Sequence, residues 1–202
     1  QTNDSAYGKD NRYNLTINSL LQLNSVLSLQ SKAGYQDWSQ TYYIQEPLYI
    51  PAQVGYTNRN WEVENRINLS SKDTKLSFGL ANLHSSLKGQ DYQRPSLSIG
   101  TVKRSTFSSF ISGQQSFKNL ILDLATISAA FRFDKTAAYD PNWSPQIGLL
   151  LSQGTTANLK VRANWGKSYR NPSLNALFWK EDAFSAGNPN LKPERATNLD
   201  IS

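Results

Sequence analysis

One histidine and no cysteine among 202 residues narrow the chemistry this chain can do. Disulfide frameworks and thiolate metal sites are excluded, and any nucleophile–His–acid set would need His84. That residue sits in an alternating segment and reads as solvated, or as facing the lumen of a closed sheet, rather than as a ligand. Glu62 and Glu64 share one strand face, where a solvated polar surface accounts for them better than acid–base catalysis. Asp134, Asp140 and Glu194 lack metal-ligand spacing. Gly166-Lys167-Ser168 matches the end of a phosphate loop, yet Val161 occupies the position that needs glycine. Asn14-Leu15-Thr16 and Asn68-Leu69-Ser70 match glycosylation sequons, but inside predicted strands. No catalytic residue, metal or cofactor is expected, and no enzyme activity.

Binding chemistry is better represented. The stretch 38–49 carries Trp38, Tyr42, Tyr43 and Tyr49, and a later one carries Tyr169, Arg170, Phe178 and Trp179. Read as loops, both supply rigid aromatic area with polar tips, which suits a large, partly aromatic ligand such as a metal chelate. An interfacial girdle, or packing of loop on loop, accounts for the same residues equally well.

Strands must carry these loops, because the chain alternates with a period of two. Tyr13, Leu15, Ile17, Leu21 and Leu23 share a face against Asn14, Thr16, Asn18 and Gln22. Leu27, Leu29, Ala33 and Tyr35 follow a turn at Asn24-Ser25; then come Trp61, Val63, Ile67 and Leu69, and Leu76, Phe78 and Leu80. Ile147, Leu149 and Leu151 form a face, and Leu159, Val161, Ala163 and Trp165 another. Lys32, Glu62, Glu64, Arg66, Lys160 and Arg162 all fall on the polar side. Lipid would impose that sorting, since a charge at the midplane of a barrel's lipid face costs about 2–4 kcal/mol. Asn65 and Asn82 are the exceptions, and Lys167 on the lipid side sits just beyond Trp165, within reach of water. Between 120 and 133 the apolar phase changes from Leu120, Leu122 and Leu124 to Ile127, Ala129, Phe131 and Phe133, which predicts a β-bulge.

Nine strands are predicted, the last entered at Glu194, with links that alternate short and long. Short turns are expected near Asn24, Asp73, 114–118 and Gly154-Thr155-Thr156; long links are expected before Trp61, before Ser105, near Tyr139 and from Tyr169 to Pro193. Such sorting puts every long loop at one end, as in an outer-membrane barrel with short periplasmic turns and long extracellular loops. A Greek-key sandwich has no reason to sort its links this way. Composition agrees. Only 18% of residues are charged, yet mean hydropathy is negative, and no stretch approaches the roughly 20 apolar residues of a spanning helix. The net charge of +6 is scattered rather than clustered, so nucleic acid is not an expected partner.

The last fifth of the chain carries two motifs: Ser168-Tyr-Arg-Asn-Pro-Ser-Leu-Asn-Ala-Leu-Phe178, then Gly187-Asn-Pro-Asn-Leu-Lys-Pro-Glu194. Together they resemble the paired signature of TonB-dependent outer-membrane receptors, with Arg170, Pro172, Ser173, Asn188, Pro189, Leu191, Lys192, Pro193 and Glu194 at the matching positions. Asn171 stands where that family usually has Ala. The segments Ala130-Phe-Arg-Phe-Asp134 and Ser144-Pro-Gln-Ile-Gly-Leu149 look like two of the family's barrel strands. The resemblance implies an all-β, antiparallel transmembrane β-barrel of 22 strands, of which about nine are present. Residues 1–202 would be part of the barrel domain, and the chain, opening on Gln1, reads as an excised or processed piece without the plug or the terminal barrel strand. It further implies a bacterial outer-membrane receptor for a scarce metal chelate, with iron–siderophore ahead of cobalamin. The inner-membrane protein TonB would act through the plug, and outer-membrane lipid would surround the wall. A secreted β-sandwich adhesin or lectin-like module is the alternative.

Overall fold

The computed structural model describes residues 6–44, 52–119, 122–154, 159–180 and 186–202. Nine strands form one antiparallel sheet in which every strand pairs with its neighbours in sequence. They are β1 (Ala6–Gln22), β2 (Leu27–Ile44), β3 (Ala52–Ser70), β4 (Thr74–Asp91), β5 (Gly100–Lys118), β6 (Leu124–Thr136), β7 (Asn142–Gln153), β8 (Leu159–Arg170) and β9 (Glu194–Ile201). A 3-10 turn at Pro95–Leu97 precedes β5, and a one-turn helix, α1 (Leu174–Phe178), precedes β9.

Pairing turns the alternation of single strands into two unlike faces. The register aligns Leu21, Leu29, Ile67, Phe78, Ile111 and Phe131 in one row across β1 to β6. Ile147, Trp165 and Leu199 align likewise on β7 to β9. These side chains are exposed, Ile111 at 55% and Ile147 at 56%, and no second sheet covers them among the described residues. A β-sandwich would bury this face against a partner sheet, whereas the nine described strands form a single sheet with neighbours paired in sequence order. Lys32, Arg66, Lys160 and Arg162 occupy the opposite face, where Lys32 pairs with Glu62 and Arg66 with Glu64 at 2.8 Å. Side chains on this polar face are systematically less exposed than those across the sheet, which marks it as the inside of the curve. Asn65, polar on the apolar face, accepts a hydrogen bond from Ser31 Oγ at 2.7 Å and is thereby satisfied.

Local chemistry closes the turns at one end. Asn24 Oδ1 accepts from the backbone N–H groups of Val26 and Leu27 at 2.9 and 2.8 Å. Lys118 pairs with Asp73, and Asn119 takes the left-handed conformation at φ 54°, which Asn tolerates better than most residues. The turn residues Thr155 and Thr156 and the strand candidate Leu120 lie outside the described residues.

Four expectations change. The segment 38–44 is strand rather than loop, so Trp38, Tyr42 and Tyr43 sit on β2. Residues 114–118, read as a turn, finish β5. No bulge interrupts β6: its pairing with β5 runs unbroken from Thr106–Thr136 to Lys118–Leu124, and the phase change marks where the strand begins. His84 lies in the apolar row with Trp61, stacked on its ring at 5.5 Å and bonded through Nδ1 to Ser105 Oγ at 2.8 Å. It does not face the lumen side.

Extra strand length is the cause of the first two. β3 and β5 hold 19 residues each, and at about 3.3 Å per residue they reach roughly 60 Å. A bilayer needs only about 9–11 tilted residues. Beyond that length both faces meet water and the alternation disappears. Among the described residues, the links on the loop side therefore shrink to 92–99 and 137–141.

Candidate functional site

Residues 171–180 and 186–193 bend over the polar face instead of standing clear of it. Ser173 caps α1, its Oγ accepting from Ala176 N–H at 3.0 Å. Leu174 and Leu177 are buried and, with Leu87 of β4, are the buried apolar residues among those described. Gly187 then returns against the helix end, donating its N–H to Trp179 O at 2.9 Å. A β-carbon there would lie 2.6 Å from Trp179 N, so only glycine fits this approach. Asn188 turns the chain by accepting from Asn190 N–H at 2.9 Å, and Pro193 delivers it to β9. Ser173, Gly187 and Asn188 of the two motifs thus have structural work in this bend. Lys192 and Leu191 are exposed.

Beneath the bend lies a buried polar cluster. Asp134 on β6, 3% exposed, accepts from Arg132 Nε at 3.0 Å and from Ser108 Oγ at 2.5 Å. Arg132 also donates to Ser108 Oγ at 2.8 Å. Asn171 donates to Thr136 Oγ1 at 3.3 Å, and Arg104 Nη1 donates to the Pro172 carbonyl at 2.6 Å. Arg104 lies one residue beyond the row of Trp61, and Tyr169 four residues beyond Trp165, both toward the loop end of the sheet. Burial lowers the Arg104 guanidinium from its ordinary value, and the neighbouring Tyr139 and Tyr169 oppose that shift. Burial first, and the Asp134 carboxylate second, push the Tyr169 phenol up to about 12. Tyr169 is therefore neutral at physiological pH. It is the last residue but one of β8, just before the chain leaves the sheet after Arg170.

The proposed ligand residues are divided by the fold. Trp38 and Tyr42 occupy the polar face of β2; Arg12 lies over the Trp38 ring at 5.2 Å, and Tyr42 lies over Gly8. Tyr43, the next residue along, points to the other face and stacks on Tyr7 at 4.5 Å. Trp179 comes from the far end of the chain to stack on Tyr56 of β3 at 5.3 Å, beside a cavity of about 110 Å³ lined by Asp91 and Arg94. Phe178 ends α1 and is partly exposed, and Arg170 ends β8. Tyr49 lies outside the described residues.

Several contributors escaped sequence reading. Arg104 and Tyr56 lie in stretches that read as links, and their partners are 68 and 123 positions away, out of reach of any local pattern. Phe110 was legible in principle. It is out of phase with Phe107 and Ile111, an aromatic residue on the polar face, and Arg66 and Arg132 lie over its ring at 4.9 and 5.9 Å.

Comparison with known proteins agrees with this architecture. Over 71 residues the chain is 39% identical to the vitamin B12 transporter BtuB of Photobacterium profundum, covering 35% of this chain and 11% of that protein. The siderophore receptor PirA from Pseudomonas aeruginosa shares the fold, with a TM-score of 0.54 at 13% identity over 98% of this chain and 46% of that one. The chain thus spans less than half the length of the relatives it matches. Residues 1–202 match throughout the family described as TonB dependent receptor-like, beta-barrel, and the chain belongs to that family.

Proposed function

We propose that this sheet is wall of an outer-membrane receptor that imports a scarce metal chelate with energy supplied through TonB. One observation carries the reading: an apolar face runs across all nine strands, with Lys32, Glu62, Glu64, Arg66, Lys160 and Arg162 on the other side, while Asp37, Arg59 and Lys167 on the apolar side lie on the loop side of Tyr35, Trp61 and Trp165. Hydrocarbon is the environment that rewards that arrangement, because a closed, hydrogen-bonded wall leaves no polar backbone unmet in lipid. The plug and the contact with TonB belong to the complete receptor, as does the remainder of a 22-stranded barrel.

The ligand would meet the polar face at the loop end. Trp38, Tyr42 and Trp179 stand on that side, and their rings suit a chelate with aromatic or flat parts. Tyr43 faces outward and serves as its internal control. Ferric siderophore is the first substrate class. Cobalamin is the second, favoured by the stretch that matches a vitamin B12 transporter. Uptake of labelled ferric chelates and of cobalamin by cells carrying the full-length receptor, with and without TonB, separates the two. Uptake of neither, or uptake indifferent to TonB, would overturn the reading. Tyr42→Ala and Trp179→Ala should weaken ligand binding by roughly tenfold, the loss of about 1.4 kcal/mol, while Tyr43→Ala should leave it unchanged.

A further inference from the structure

The sheet splits at one place. Pairing between β7 and β8 stops at Gln146–Gly166, although β7 continues to pair with β6 as far as Asn142 and β8 with β9 as far as Arg170. Pro145 is the next residue along and has no N–H to offer the ladder. The fork opens a cleft of about 390 Å³. Phe131 and Trp143, from the apolar face, line one wall, with Trp143 56% exposed and the two rings 5.1 Å apart. Lys167 and Arg195 line the other, and no carboxylate is among the lining residues.

Lys167 pairs with Thr197 and Tyr169 with Arg195, so the two residues are diagonal neighbours across β8 and β9, with backbone positions roughly 7–8 Å apart. Neither has an ion-pair partner among the described residues. Arg195 is fixed by donating to Asn142 Oδ1 at 3.2 Å, a neutral acceptor that leaves its charge uncompensated. Two like charges beside an aromatic wall call for an anion with an apolar body. The level is also informative, since Lys167 is the next residue on its face beyond Trp165, and tryptophan is enriched where a membrane meets water.

We propose that this fork binds a net-anionic membrane phospholipid, one whose phosphate has no head-group cation beside it, with the phosphate between Lys167 and Arg195 and an acyl chain along Phe131 and Trp143. The proposal rests on the outer-membrane reading, and basic pockets beside apolar spans are a general means of holding lipid head groups. The cleft shows Phe131 and Trp143 on the apolar side and shares Tyr169 with the base of the bend.

The test uses the full-length receptor purified in mild detergent and native mass spectrometry. Dioleoyl phosphatidic acid should remain bound to the wild type and phosphatidylcholine should not. K167Q/R195Q should lower the bound fraction about tenfold at a given lipid concentration, and Trp143→Ala should weaken the lipid while leaving inorganic phosphate unaffected. Equal retention by the double variant, or inorganic phosphate binding as well as the lipid, would overturn the proposal. Heat-dependent gel mobility of each variant keeps the two readings apart. A receptor that folds in membranes without retaining the lipid sinks only this site, whereas failure to insert at all sinks the membrane reading beneath it.

Discussion

Phe110 of β5 lies flat across Gly79 of β4, so close that a β-carbon on Gly79 would be 2.1 Å from Phe110 Cζ. The glycine is therefore the seat of the ring. Arg66, the partner of Gly79 on β3, and Arg132, the partner of Phe110 on β6, approach the same ring from either side. Four strands are thereby joined on the polar face by side chains as well as by backbone. Cation–π contacts of this sort contribute about 0.5–2 kcal/mol each.

Replacing Gly79 by Val should unseat the ring. Overpacking of this kind costs about 1–3 kcal/mol, so the urea midpoint of the full-length receptor in detergent should fall. The paired variant Gly79→Val with Phe110→Ala should recover part of the loss. An unchanged midpoint in the single variant would mean that the ring has another place to go.

A charge on the apolar face should be costly and one on the polar face tolerated. Ile111→Lys, near the middle of the membrane-crossing part of β5, should destabilise the receptor by about 2–4 kcal/mol in bilayers. Ser112→Lys, one residue along and on the other face, should cost far less. Denaturant titration in liposomes measures both. Equal costs would contradict the assignment of the exposed apolar face to lipid.

The docking of residues 169–172 should depend on pH at the alkaline end. The Tyr169 phenol is raised to about 12 in the folded chain, against about 10 when free. The folded state thus holds its proton more tightly, so the contribution is complete below pH 10 and is lost between pH 10 and 12. Hydrogen exchange at residues 169–177 of the full-length receptor should accelerate over that window, and Tyr169→Phe should remove the pH dependence. Acceleration that persists in Tyr169→Phe would assign it to another group.

Strand existence was legible because one face meets apolar surroundings and the other does not, and a period of two is the direct print of that difference. The faces of β1, β3 and β8 follow from Leu15, Ile67 and Val161 alone. Strand ends were illegible for the same reason, since past the membrane both faces meet water and residues such as Ser39, Gln40 and Thr41 carry no alternation. A stretch without a pattern reads as loop, which is how Trp38 and Tyr42 came to be placed off the sheet. The start of β9 at Glu194 could be read because Pro193 breaks the preceding backbone in any context.

The amino-acid order by itself determined the fold class, the number of strands and the face on which Lys32, Glu62, Glu64, Arg66, Lys160 and Arg162 sit. Alternation, turn residues and the two proline-rich motifs are local properties, and local sterics and solvation impose them wherever the chain goes. Only the tertiary structure decided that Tyr42 and Tyr43 part to opposite faces, that Arg104 holds the carbonyl of Pro172, and that Trp179 meets Tyr56. Each of those depends on a register or on a contact between residues far apart in the chain. Such a contact exists only once the intervening strands have paired and the loop entropy opposing it has been overcome.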